Sequence, residues 1–148
     1  MTDASEMVKL YSNRILALAA DIPHSERLEA PDASEMKRSP LCGSTVTVDV
    51  CMKDGVVSDF GQDVKACALG QASASVLGGA VMGQTLETIR TGRDQLAAML
   101  KSDGPVPDAP FDGLEVLQPA KAYKNRHASI LLAFDATVTA IESLSQAA

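Results

Sequence analysis

The sequence predicts an α+β fold: a small antiparallel sheet of about three strands packed against several helices, formed by residues 1–148 as a single domain. Three observations carry this expectation. From Gly43 the pattern has a period of two, with Thr45, Thr47, Asp49 and Cys51 alternating with Val46, Val48, Val50 and Met52, the mark of a half-buried strand. The turn signal Lys53-Asp54-Gly55 leads at once into a second extended run, so the two strands must pair as an antiparallel hairpin. On either side of the hairpin, apolar residues recur at helical spacing.

The elements follow in order. Met7, Leu10, Tyr11, Ile15 and Leu18 define an amphipathic helix over residues 5–20, with Ser5 as its N-cap and Ile22-Pro23 as its stop. Residues 24–40 hold prolines and many charges without a period, which predicts a loop with at most a short edge strand around Arg27–Ala30. The hairpin comes next, its second strand running from Val56 to Ala66 with Gly61 marking a bulge. Its turn lies near residues 54–55, so the pairing brings Cys42 opposite Cys67 to within a residue or two of register.

A helix rich in small residues follows Cys67, with Leu69, Ser73, Val76, Leu77 and Ala80 on one face and its end near Gly83. Thr85 caps another helix, which turns Leu86, Ile89, Leu96, Met99 and Leu100 inward and Arg90, Arg93 and Asp94 outward. The three prolines within residues 102–112 exclude regular structure there, and Leu114–Leu117 forms one more short turn or helix. A last helix from about Asn125 to Leu144 aligns Ile130, Leu131, Phe134, Val138 and Ile141, with His127 on the inward face of its first turn.

Composition narrows the function. At 148 residues the chain can bury roughly 70% of the surface its unfolded form exposes, and 46% hydrophobic with 22% charged residues is a globular balance. A net charge of −6 and 3% aromatics argue against nucleic acid and anionic membranes as partners. No apolar run approaches the ~20 residues of a membrane span, and the acidic start Met1-Thr2-Asp3 is unlike a secretory signal, so a cytoplasmic location is expected. No nucleophile–base pair or phosphate loop stands out, which argues against an enzyme.

Three cysteines make no disulfide framework, leaving free thiols that serve as buried fillers or as ligands. Cys51, at the turn end of the hairpin, has no assigned role. Cys42, Cys67 and His127 form the candidate site. Cys67 opens a helix, where unpaired N–H groups favour a thiolate. A helix start likewise favours a neutral imidazole at His127. Two thiolates and an imidazole suit zinc or iron with one open position. The bland alternative is that both cysteines pack as small hydrophobes and His127 is a hydrogen-bonded core residue.

Cys42-Gly43, the hairpin with its Asp-Gly turn, Cys67-Ala68-Leu69-Gly70-Gln71-Ala72-Ser73 and Arg126-His127-Ala128-Ser129-Ile130-Leu131 together resemble the IscU/SufU/NifU N-terminal family of iron–sulfur cluster assembly scaffolds. The resemblance spans the first helix to the last and implies a SufU/IscU-like fold. It also implies a transient iron–sulfur cluster, or zinc, as cargo, and a cysteine desulfurase and cluster-accepting proteins as partners. The family's pattern is Cys-Gly-Asp, then a second Cys before the small-residue helix, then a third Cys opening the last helix, often after His or Lys. Cys42, Cys67 and His127 match it. Ser44 stands at the aspartate and Ala128 at the third cysteine, the residue expected to receive persulfide sulfur. The resemblance therefore implies either a scaffold working through Cys42, Cys67 and His127, or a degenerate member acting as a sulfur acceptor or a regulatory interaction protein.

Overall fold

The computed structural model describes residues 13–40 and 43–146. Helix α1 covers residues 13–20. Strands β1 (Ala33–Arg38), β2 (Thr45–Lys53) and β3 (Val56–Lys65) follow, then helices α2 (Ala68–Ala80) and α3 (Leu86–Lys101). Two 3₁₀ segments, Asp112–Ala122 and Lys124–Arg126, lead into helix α4 (His127–Gln146). The strands form one antiparallel sheet in the order β1-β2-β3, so the architecture is α+β as expected.

The β2–β3 hairpin turns through Asp54 and Gly55, both at positive φ (54° and 81°), the backbone whose twist matches the flanking strands. Val46, Val48 and Val50 face the core opposite Val64, Gln62 and Phe60. The expected bulge at Gly61 is not there: the register slips between Cys51 and Met52. Gly61 meets a different demand, because a Cβ there would lie 2.2 Å from the Glu26 carbonyl oxygen. The 22–30 loop crosses β3 at that point, and the Gln62 N–H donates to the His24 carbonyl at 2.8 Å.

That loop also buries Asp49, which alternates with the valines along β2. Its carboxylate is buried and accepts from Arg27 Nε (2.6 Å), Arg27 Nη2 (3.0 Å), the Leu28 N–H (2.9 Å) and Ser34 Oγ (2.5 Å). A buried charge persists only when so many donors meet it.

The expected edge strand around Arg27–Ala30 forms later, as β1, which pairs with β2 from Ala33↔Val50 to Arg38↔Thr45. Its residues alternate between half-buried Ala33, Glu35, Lys37 and exposed Ser34, Met36, Arg38. Long charged side chains can cover a neighbouring helix with their methylene stems, so an edge strand needs no apolar alternation.

Helix α4 packs against β1 and β2 and also against α2 and α3, so it is buried nearly all round: Ile130, Leu131, Leu132, Ala133, Phe134, Ala136, Val138, Ala140 and Ile141. It starts at His127, after a 3₁₀ turn where a continuous helix was expected from Asn125. Phe134 meets Phe111 edge-to-face at 5.3 Å. Helix α2 buries Gly70, Ala72, Ser73, Ala74, Ser75, Leu77 and Gly78 rather than a single stripe. It ends at Ala80, short of Gly83, whose N–H instead donates to the Val57 carbonyl (2.8 Å) and covers the free edge of β3. Thr85 caps α3 as expected, its Oγ1 accepting from the Thr88 N–H at 3.1 Å. The Leu114–Leu117 turn is the middle of the longer 3₁₀ segment. In α1, Ile15 is buried and Leu18 packs against the core, while Ser5, Met7, Leu10 and Tyr11 lie outside the described residues.

Candidate functional site

Cys67 is the N-cap of α2, in extended conformation (φ −66°, ψ 168°) with no side-chain capping hydrogen bond. Its carbonyl accepts the first helical bond, from the Gln71 N–H at 2.9 Å. The thiol is free and half-buried at the start of the helix, where first-turn N–H groups have no intrahelical partner.

The Cys67 Sγ lies 3.5 Å from Ser129 Oγ, and Ser129 Oγ donates to Ser44 Oγ at 3.1 Å. Both serines are buried. Three elements therefore meet in one hydrogen-bonded chain: the start of α2, the first turn of α4 and the loop between β1 and β2. Gly70 makes the approach possible, because a Cβ there would lie 2.7 Å from Ser129 Oγ and 3.1 Å from the Ser129 carbonyl oxygen.

The β1–β2 loop closes on itself: the Ser39 N–H donates to the Ser44 carbonyl (2.8 Å) and the Gly43 N–H to the Ser39 carbonyl (3.0 Å). Gly43 sits at φ +69°, and among the described residues Arg38 comes to 4.0 Å from the place of its missing Cβ. The positive φ is what calls for glycine here. Cys42 belongs to this loop but lies outside the described residues.

His127 is buried as expected, and its Nε2 lies 3.1 Å from the Ala120 carbonyl oxygen. A carbonyl only accepts, so Nε2 carries a hydrogen, and Nδ1 is the ring nitrogen that could offer a lone pair to a ligand. This bond ties the 3₁₀ segment to the start of α4, the kind of backbone anchor that fixes a ligating imidazole. Ala128 is half-buried, between buried His127 and Ser129. Among the described residues no three His, Cys, Asp or Glu side chains group closely enough to hold a metal. Cys51 donates toward the Ala30 carbonyl at 3.6 Å.

Ser129 and Gly70 are the residues that sequence reasoning left unassigned. Gly70 carried a signal, since it interrupts a helix where alanine would be preferred, whereas Ser129 carried none by itself.

The NifU-like N-terminal domain model matches residues 10–130. The iron–sulfur cluster assembly scaffold protein IscU of Thermotoga maritima is 23% identical over 137 residues, covering 93% of this chain and 96% of its own. The crystal structure of a nitrogen-fixing NifU-like protein (N-terminal) from Brucella abortus superposes with a TM-score of 0.89 at 47% identity, over 91% of this chain and 94% of that one. The scaffold protein for the SUF system (SufU) of Fervidobacterium islandicum shares the fold, with a TM-score of 0.76 at 19% identity over 86% of this chain and 93% of that one.

Proposed function

The chain belongs to the NifU-like N-terminal domain family of iron–sulfur cluster assembly scaffolds, and from that premise we propose that it is a carrier that holds iron, zinc or a labile cluster as cargo through Cys42, Cys67 and His127. The observation that carries the reading is the meeting of Cys67, at an uncapped helix start, with Ser44 through buried Ser129. Ser44 is two residues beyond Cys42, so the loop bearing one family cysteine is tied to the other. Two thiolates and Nδ1 of His127 provide three donors, and the absence of a thiol at Ala128 leaves a position for a partner's ligand or water. The carrier receives sulfur from a cysteine desulfurase and delivers its cargo to accepting proteins in the cytoplasm. It performs no catalysis of its own.

Anaerobic reconstitution with ferrous iron and sulfide tests this. The wild type should become coloured and retain iron and sulfide, and Cys42→Ala and Cys67→Ala should each lose most of both. A colourless, metal-free wild type would refute the reading. Ala128 and Ser44 favour a second reading, in which the chain accepts persulfide sulfur on Cys42 or Cys67 or acts as a regulatory interaction protein, without building a cluster. Mass spectrometry after incubation with a desulfurase and cysteine should then show added sulfur on one of these residues in a chain that takes up no iron.

A further inference from the structure

We propose that the outer edge of β1 is an interface between two copies of this chain, which pair antiparallel through β1 with Met36 on the two-fold axis and so join their sheets into one.

The two edges of the sheet are finished differently. Along β3, loops meet the outward backbone groups: the Val57 N–H donates to the Gln84 carbonyl (3.0 Å), the Gly83 N–H donates to the Val57 carbonyl (2.8 Å) and the Gln62 N–H donates to the His24 carbonyl (2.8 Å). Strand β1 is the opposite edge, and among the described strands it pairs with β2 alone. Just beyond it the Ser39 N–H donates to the Ser44 carbonyl, and alternate residues of an antiparallel ladder point their backbone groups the same way. Ala33, Glu35 and Lys37 therefore bond to β2. Ser34, Met36 and Arg38 turn their N–H and C=O groups outward, where no backbone group among the described residues meets them.

An open edge is a template for another chain, and charges on it commonly forbid such pairing. The charges of β1 instead select one partner. When β1 pairs with its own copy, outward residues must meet outward residues, which leaves few registers. With Met36 opposite Met36 of the second copy, Glu35 of each chain faces Lys37 of the other and Ser34 faces Arg38. The next register on one side sets Glu35 against Glu35, and the next on the other side sets Lys37 against Lys37. Directly opposed charges across strands attract or repel by sign, so Ala33–Arg38 matches itself in one register and rejects the neighbouring ones.

The side chains suit that role. Glu35 and Lys37 are half-buried, and among the described residues neither forms an ion pair. Met36, on the other face, is 59% exposed, and pairing covers it with its own copy. A strand of 6 residues buries little area, so the dimer is weak and depends on concentration.

Sedimentation equilibrium of the full chain over a wide concentration range tests this. The wild type should pass from monomer to dimer as concentration rises. Glu35→Lys and Lys37→Glu should each weaken the dimer by roughly 10- to 100-fold, because each sets two like-charged pairs across the axis. An equimolar mixture of the two variants should dimerise about as well as the wild type, since every introduced charge then faces an opposite one. Amide hydrogen exchange should slow with concentration at Ser34, Met36 and Arg38 and stay unchanged at Glu35 and Lys37, whose N–H groups are already bonded to β2. A wild type that stays monomeric overturns the proposal. So does a dimer that both variants leave unchanged, because the copies then meet elsewhere. Folded variants that fail to recover on mixing overturn it too, since the charges then act within one chain; circular dichroism establishes that each variant is folded.

Discussion

Asp49 is the residue on which the edge of the sheet depends. Burial by itself pushes its carboxyl up, but the hydrogen bonds from Arg27, Ser34 and the Leu28 N–H outweigh burial and hold it below the ordinary carboxylate range. A carboxyl lowered in the native state stabilises fully above its unfolded value of about 4, and that contribution is lost as pH falls through the native value. Urea unfolding of the wild type between pH 5 and pH 3 should show a loss of stability that is smaller in Asp49→Asn, which has no charge to protonate. A wild type and variant with parallel pH profiles would show that the cluster does not couple to folding. Asp49→Ala at pH 7 should destabilise by about 1–3 kcal/mol, because the Leu28 N–H and the Ser34 hydroxyl lose their buried acceptor. The Arg27 side chain is 53% exposed and can turn to water, which keeps the cost from being larger.

At the scale of elements, α2 shows two kinds of glycine on one helix. A Cβ on Gly70 would meet Ser129 Oγ at 2.7 Å and Ala66 Cβ at 2.9 Å, so Gly70→Ala must push the first turn of α4 away from α2. The expected cost is about 1–3 kcal/mol in denaturant unfolding, with the Cys67–Ser129 contact opened. Gly79 is exposed, and its nearest neighbour would be Pro23 Cγ at 3.9 Å, so Gly79→Ala should stabilise by about 0.5–1 kcal/mol. Equal effects at both positions would mean that helix propensity, not packing of α4, governs this helix. The contrast also shows where pattern reading works. Thr85 and the Val46, Val48, Val50 alternation were legible because a cap and a buried strand face are local chemistry. Strand β1, the burial of Asp49 and the role of Gly61 were not, because each is set by the 22–40 segment folding over the sheet, and a loop's path leaves no period in sequence.

Across the whole molecule, distant segments converge on one place. The end of the hairpin, the start of α2 and the first turn of α4 are brought together by the sheet and by a central helix that packs on both it and α2. Cys67 and the inward setting of His127 were legible from spacing; Ser129 was not, since a serine in His127-Ala128-Ser129-Ile130 reads as helix filler until the partner helix is in place. Ala128 occupies the remaining position of this first turn and is half-buried between two buried neighbours, so a slightly larger side chain there need not disturb the core. Ala128→Cys should fold with near-wild-type stability and place a third thiol at a helix start, where a thiolate is favoured. On the proposed carrier reading its sulfur would fill the position left open beside Cys42, Cys67 and His127, and a ligand within the chain outcompetes one that must be recruited from solution. After anaerobic reconstitution with iron and sulfide, Ala128→Cys should retain more of both per chain than the wild type and lose them more slowly to a chelator. Equal retention would mean that position 128 does not face the cargo.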